Sequence, residues 1–398
     1  MTHYQILVVG GGNAGVSVAA RLMRARPDLQ IAILEPSEKH YYQPAWTLVG
    51  AGTFDINHTV RPEAAVIPHN VKLIPEAVAS FQPDQNKVTS SNGNEYSYDY
   101  LIAAPGIQLN WGDVKGLPEA LGKNGVTSNY LFSMAPYTFK CLKALRPGQT
   151  ALFTSPGTPV KCGGAPQKIM YLTADYLRRH GLQGKVKVEF HTAGGVIFGI
   201  KKYADSLMKM VNKYGISLNF KEDLIAIDGE KKIATFKLTD EHGISTEVQR
   251  SYDMIHVTPP QSAPDFVRNS PLANAAGWIE VDQYSLQHTR YPNIFALGDA
   301  SSTPNVKTGA AVRKQAPVLV KNLLALMDGK PLAARYSGYG SCPLVVGYGK
   351  MILAEFGYDN KVMETFPFDQ SKPRWSMWIL KKYILPWMYW HKILKGTA

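Results

Sequence analysis

Three cysteines occur in 398 residues, Cys141, Cys162 and Cys342. A thiolate is a nucleophile and a partner for disulfide exchange, so what surrounds each one decides its use. Cys141 lies in "YTFKCLKALRPG", on a predicted helix, where a cysteine ordinarily serves as a small buried hydrophobe. Cys162 stands in "VKCGGAPQ" (160–167), between an apolar run, "TALFTS" (150–155), and a predicted helix, "KIMYLTADYLRR" (168–179). In a strand–loop–helix unit, that loop is where glycines let a pyrophosphate approach the backbone. Cys342 lies 180 residues further on, in "YGSCPLVVGYGKMILAEF" (339–356). Sequence spacing does not place the two together. No zinc-ligand spacing is present, and no metal is expected.

A second group of residues is set up for phosphate. "ILVVGGGNAGVSVAARLMRARPDLQIAILEP" (6–36) reads as buried strand, glycine turn, helix and second buried strand. Gly10, Gly12 and Gly15 fit G-x-G-x-x-G: the first for the turn, the second for pyrophosphate approach, the third for helix–strand packing. The helix N-terminus turns free N–H groups toward the phosphates. Asn13 and Ala14 belong to the same loop, and Glu35 ends the second strand, placed to accept from a ribose. FAD and NAD share this fingerprint. "YPNIFALGDA" (291–300) separates them, because Gly298-Asp299 resembles the late motif of the two-dinucleotide-domain disulfide-reductase flavoproteins, whose aspartate binds the flavin's ribityl chain. FAD is therefore the expected cofactor. Gln43, Ala104, Pro105 and Gly106 are further candidate contacts. Lys307 and Thr308 begin a helix expected to face the flavin's pyrimidine end, or simply to be capped there.

"SYDYLIAAPG" (97–106) and "SYDMIHVTPP" (251–260) align without a gap, an internal repeat closing two similar units. The predicted fold is α/β with two Rossmann-like dinucleotide-binding domains. Residues 1–110 and 261–330 form the FAD domain in two segments, and 111–260 form the inserted second domain. Residues 331–398 form a C-terminal region. The second domain's loop, "PGTPVKCGGAPQ" (156–167), carries three prolines and no G-x-G-x-x-G, and its second strand ends at His191-Thr192 rather than on an acid. An NAD(P)H site is not expected there.

The chain carries +12 net charge, which selects an anionic partner, nucleic acid or phospholipid. From Lys372 onward there are six Lys/Arg, no acid and four of the seven tryptophans. Two short apolar-aromatic segments are separated at Pro386. That composition predicts an amphipathic anchor over 372–398, with aromatic rings at headgroup level and lysines toward anionic lipid. Lipid rather than nucleic acid is the expected partner. No apolar run is long enough to span a bilayer, and the first strand begins at Tyr4, so no signal peptide is expected.

"TPVKCGGAPQKIMYL", "GSCPLVVGYGKMILAEF", "HYYQPAWTLVG" (40–50) and "ETFPFDQSK" (364–372) resemble the sulfide:quinone oxidoreductases over essentially the whole chain. The absence of a cysteine before Cys141 favours the type II, mitochondrial-like branch. One departure is Gly-Asp-Ala where some relatives have Gly-Asp-Cys. The resemblance implies oxidation of sulfide to sulfane sulfur, handed to sulfite, glutathione, cyanide or a second sulfide, with membrane quinone reduced. It implies that Cys162 faces the flavin and Cys342 carries the persulfide, in a disulfide or sulfur-bridged pair. Lys161 then either favours the Cys162 thiolate or is an ordinary surface lysine. Phe356, Tyr348 and "TFPF" are candidates for the quinone slot or for core packing. A peripheral membrane seat follows, at the cytoplasmic face of a bacterial inner membrane or, for a trimmed chain, the mitochondrial inner membrane. Three rival readings stand beside it: a type II NADH:quinone dehydrogenase, the flavoprotein subunit of a flavocytochrome sulfide dehydrogenase, and a non-catalytic flavin-bound persulfide sensor.

Overall fold

A computed structural model describes residues 1–398. One parallel sheet grows around Thr2–Val9, whose last four residues are buried, as a strand covered on both faces requires. Ile31–Leu34 pairs on one side and Glu95–Ala103 on the other, Val9 meeting Leu34 and Ala103. Ile294–Ala296 adds to Glu95–Ala103 in parallel, so a sheet begun at the N-terminus is completed after residue 290. Helices Asn13–Ala25 and Gly309–Met327 pack against one face and against each other.

A second parallel sheet runs in the order Val126–Thr127, Met254–His256, Thr150–Ser155, Lys187–Thr192, Ser217–Phe220. The repeat noted in the sequence has a topological meaning. Glu95–Ala103 lies beside the first strand of its sheet, and Met254–His256 lies beside Thr150–Ser155 in the same relation. An antiparallel three-stranded sheet, Glu222–Asp228, Ile233–Thr239 and Ser245–Ser251, flanks the second unit. The fold is thus α/β and Rossmann-like, as its sequence predicts.

The helix Ala165–Arg179 ties these parts to the C-terminal region. Its length lies on the antiparallel hairpin Gly340–Gly347/Lys350–Phe356, in which Cys342 faces Ala354. Near the helix C-terminus, buried Asp175 accepts hydrogen bonds from the backbone N–H of Tyr348 (2.9 Å) and from Arg178 and Arg179. The hairpin turn is pinned there. At the open end, buried Glu355 accepts from Tyr339, from the backbone and hydroxyl of Thr365, and from Gln370. That carboxylate anchors the "ETFPFDQ" loop.

The C-terminal segment departs from expectation. Helical structure runs from Trp375 to Ile393 in abutting turns, and Pro386 does not split it. The turns on either side are π-helical. Their wider i→i+5 spacing accommodates a proline that would break an α-helical ladder. Met377, Trp378, Lys381, Tyr389, Trp390, Ile393 and Leu394 are buried, whereas Trp375, Tyr383, Ile384 and Trp387 are exposed. The segment is both a core element and an apolar surface, one face each.

Asp175→Ala removes three charge-assisted hydrogen bonds, one of which ties the hairpin turn to the helix. Chemical denaturation is expected to report a loss of about 2 kcal/mol, and an unchanged midpoint would show that the turn holds without it.

Candidate active site

The residues picked out for FAD converge. Gly10 adopts a left-handed φ of +100°, and a Cβ there would stand 2.3 Å from the Ala104 carbonyl oxygen. A Cβ on Gly15 would stand 1.9 Å from the Gly10 carbonyl oxygen, so only glycine lets the helix begin so close to the strand. Over Gly12 there is open space, with nothing within 4 Å of an added Cβ. Gly298 (φ +77°) lies against Ala14, and Gly309 lies against Asn13, which brings the late Gly-Asp motif onto the early glycine loop. Thr308 caps the Gly309–Met327 helix, its hydroxyl accepting from the Ala311 N–H. Glu35 accepts from the N–H groups of Gly11 and Ser37, both at 2.8 Å, and burial raises its pKa.

Asp299 faces two cations. Burial pushes its carboxyl up while Lys307 and Lys161 oppose the shift; burial pulls each lysine down to about 8, with Asp299 opposing. Lys307 donates to the Ser301 carbonyl and lies 3.9 Å above the Trp278 ring. Lys161 donates to Gln43 at 2.6 Å. An open cradle over Gly12, helix N–H groups and this charged set suit a dinucleotide with a polar tricycle.

Cys162 sits at the end of that charged set, half-buried and in the left-handed region at φ +57°, a conformation a non-glycine residue holds only where its surroundings impose it. Its N–H donates to the Lys307 carbonyl and its own carbonyl accepts from Ala165, both at 2.7 Å. The preceding residue is held by Gln261, which accepts from the Lys161 N–H, and by Tyr130, which donates to the Lys161 carbonyl. A Cβ on Gly164 would meet the Leu344 side chain at 2.3 Å and the Cys342 Cβ at 3.6 Å. The cysteine loop therefore lies directly on the hairpin, and the two distant cysteines meet.

Their proton affinities separate. Contact with the Cys342 thiol is the first cause that lowers the Cys162 pKa well below the ordinary range; burial opposes it, and the charges of Lys168 and Lys381 reinforce it. Contact with Cys162, then burial, raises Cys342 well above that range. Lys168 Nζ lies 3.0 Å from the Cys162 sulfur. The cation at the sulfur is thus Lys168, on the first turn of the following helix, while Lys161 points to Gln43. Lys381 arrives from the C-terminal segment, buried, donating to the Pro44 carbonyl at 2.8 Å, and burial pulls it down to about 7. Neither Lys168 nor Lys381 was singled out in the sequence. Lys168 was legible as the basic residue nearest a helix start after the cysteine, but Lys381 read as one more lipid-facing base.

A cavity of about 760 Å³ opens on Cys342, in the crevice at the C-terminal ends of the second sheet. Pro156, Gly157 and Thr192 line it where a nucleotide loop and its acidic partner would stand. His191, the neighbour of Thr192, is buried and bound by Glu222 (2.7 Å) and Glu189 (3.2 Å). Phe356 lines the same cavity, edge-on to Phe198. Tyr348 does not join it. It sits in the hairpin turn, its hydroxyl donating to the Ala51 carbonyl and its ring near Trp378. The strand Lys350–Phe356 separates the two rings, about 20 Å at the rise of an extended chain. They do not form one slot.

A family model described as pyridine nucleotide-disulphide oxidoreductase matches residues 4–135. The chain is 46% identical over 394 residues to the mitochondrial sulfide:quinone oxidoreductase of Mus musculus, covering 99% of this chain and 87% of that one. It is 47% identical over 394 residues to the mitochondrial sulfide:quinone oxidoreductase of Dictyostelium discoideum, covering 98% and 86%. Among solved structures, the sulfide:quinone oxidoreductase of Aquifex aeolicus superposes with a TM-score of 0.78 at 22% identity, covering 100% of this chain and 92% of that one, a likeness of fold.

Lys168→Met removes the cation in contact with the Cys162 sulfur. Iodoacetamide alkylation of the dithiol-reduced protein, followed against pH, is expected to shift upward by about 1 to 2 pH units. An unshifted profile would mean that Cys342 alone sets the thiolate.

Proposed function

The chain belongs to the sulfide:quinone oxidoreductase family, and from that premise we propose that Cys162 and Cys342 are its redox pair. It is an FAD-dependent oxidoreductase that oxidises sulfide and reduces quinone. The contact between the two thiols, with Lys168 at 3.0 Å from one of them, carries the assignment.

In the reaction we propose, HS⁻ attacks the Cys342 sulfur of the Cys162–Cys342 disulfide. One S–S bond forms, giving a persulfide on Cys342, and one breaks, releasing Cys162 as a thiolate. The sulfide sulfur has risen to the zero-valent level, and its two electrons reside on the released thiolate. Lys168, assisted by Lys381, stabilises that charge. The opposed proton affinities suit these roles: Cys162 leaves readily as an anion, and Cys342 is the poorer leaving group and keeps the new sulfur. FAD would supply a two-electron acceptor beside Cys162 that passes the pair on to quinone; once the outer sulfur has gone to its acceptor, the freed Cys342 thiolate bonds the Cys162 sulfur as that pair departs, and the disulfide is restored. Gly10, Gly12, Asn13, Ala14, Gly15, Glu35, Ala104, Pro105, Gly298 and Asp299 are the residues proposed to hold it, with Gln43, Gly106, Lys307 and Thr308 around its polar edge. A nucleophilic acceptor reaches the Cys342 persulfide through the crevice that opens on that residue, and Phe356 belongs to that access route.

The C-terminal segment is the proposed membrane contact. Trp375, Tyr383, Ile384 and Trp387 face outward, with Lys382 and Lys392 beside them. No helix is long and apolar enough to cross a membrane, and an in-plane seat brings a lipid-dissolved quinone beside the segment that carries Lys381. Trp378 and Tyr348, at its base, are the aromatic pair we assign to the quinone side.

Cys162→Ser and Cys342→Ser are each expected to lose sulfide-dependent decylubiquinone reduction by more than about a thousandfold, with FAD bound at the stoichiometry of the parent protein. Retained turnover in either variant sinks the mechanism. Replacing Trp375 and Trp387 together by alanine is expected to weaken co-sedimentation with anionic vesicles by about tenfold. Equal binding would place the membrane surface elsewhere.

A further inference from the structure

The other end of the C-terminal segment reaches the nucleotide loop through buried polar groups that the sulfide chemistry does not use. Tyr389 is 6% exposed, and burial raises its pKa well above the ordinary range, so it keeps its proton. Its hydroxyl donates to His40 Nε2 at 2.6 Å. The opposite nitrogen, Nδ1–H, donates to Glu63 Oε2 at 3.1 Å. His40 and Glu63 are each 3% exposed. Glu63 Oε1 has no hydrogen-bond partner, although it is buried. It lies against the α-carbon of Gly11, 2.7 Å from where a Cβ would stand, beside the Glu35 side chain. Glu35 accepts from the Gly11 N–H.

Two carboxylates thus press on the nucleotide loop from one side. An unpartnered buried carboxylate oxygen is costly, and its charge repels Glu35. It is held there only because His40 takes the other oxygen and Tyr389 fixes His40. Packing supports the chain of contacts. Tyr389, Trp390, Ile393 and Leu394 share one apolar cluster with Val16 of the helix that follows the glycine loop and with Tyr42 and Val66. Arg61 lies 4.3 Å over Trp390, and Arg21 of that helix donates to the Ala398 carbonyl.

We propose that Glu63 is a positioning residue for FAD, set by His40 and Tyr389, so that seating of the C-terminal segment and retention of FAD are thermodynamically coupled. This rests on the reading of Glu35 as the ribose acceptor. By linkage, whatever factor the seated segment contributes to FAD affinity, FAD returns to the segment's seating.

The test measures FAD affinity of the flavin-stripped full-length protein by quenching of flavin fluorescence. Tyr389→Phe keeps the ring and its packing and removes one hydroxyl. It is expected to bind FAD about fivefold more weakly, with the thermal midpoint of the stripped protein lowered by no more than about 4 °C. His40→Ala is expected to lose more. The reciprocal measurement uses the parent protein and limited trypsin, comparing cleavage after exposed Lys392 with cleavage after exposed Lys231 in the distant antiparallel sheet. FAD is expected to slow the first about tenfold relative to the second, and to slow it less in Tyr389→Phe. Parent-like FAD affinity in Tyr389→Phe, or tail cleavage indifferent to FAD, overturns the proposal. Glu35→Ala separates the failures: if it leaves FAD affinity unchanged, the ribose assignment is what failed.

Discussion

Two sulfurs 180 residues apart in sequence must touch, and one helix makes them do so. Ala165–Arg179 begins three residues after Cys162, carries Lys168 against that sulfur, and ends by gripping the turn of the hairpin that carries Cys342. A rigid element fifteen residues long converts a loop contact at one end and a carboxylate contact at the other into a fixed sulfur position. The strained backbone of Cys162 and the side-chain-free Gly164 are local consequences of that close approach. Much of the second domain reads as scaffolding for this geometry. The position a phosphate loop would take is occupied by a thiol, and the crevice beyond it leads to the other thiol.

Charge is arranged around the same point. Three lysines with depressed proton affinity, Lys161, Lys307 and Lys381, together with Lys168 and Asp299, surround Cys162 in a region largely withdrawn from water. Low dielectric makes each interaction stronger than on the surface and makes an unpaired charge costly. The ammonium groups therefore find carbonyl, amide or sulfur partners within about 3 Å. In the proposed reaction, the thiolate released at Cys162 meets a field already built for it. Part of the chain's net positive charge thus works inside the molecule, and the excess of +12 is not solely a surface property.

The C-terminal segment joins three tasks in under thirty residues. One face supplies Lys381 to the thiol site, its far end closes on the nucleotide loop through Tyr389, and the opposite face presents aromatic rings outward. A segment so divided has no spare face, which accounts for a sequence dense in tryptophan and lysine and empty of acid. The π-helical turns around Pro386 shift which residues share a face.

Much of this was legible in the chain itself. Gly10, Gly12 and Gly15 with Glu35 announced a dinucleotide loop because backbone sterics at such a turn leave no alternative to glycine. The Ser-Tyr-Asp repeat announced two similar units because each closes its sheet beside the strand that opened it. The Gly-Asp motif and the missing acid after His191 separated one nucleotide unit from the other. Contacts made across long separations were not legible. Phe356 and Tyr348 were grouped by proximity in sequence, but an extended strand carries its ends apart. Lys161 stands out beside Cys162 and Lys168 does not, because adjacency is visible in a sequence and a helical turn's reach back to a sulfur is not. Glu63 and Tyr389 carried no motif, and His40 entered only as the first residue of a resembling segment; their pairing depends on packing the last helical segment against the first domain. The sequence by itself determined the local backbone chemistry, meaning the turns, strands, helix starts and types of reactive group, since those follow from short-range sterics and periodicity. Only the tertiary structure decided which buried charges face one another, because burial and distance set those energies and neither is a property of neighbours along the chain.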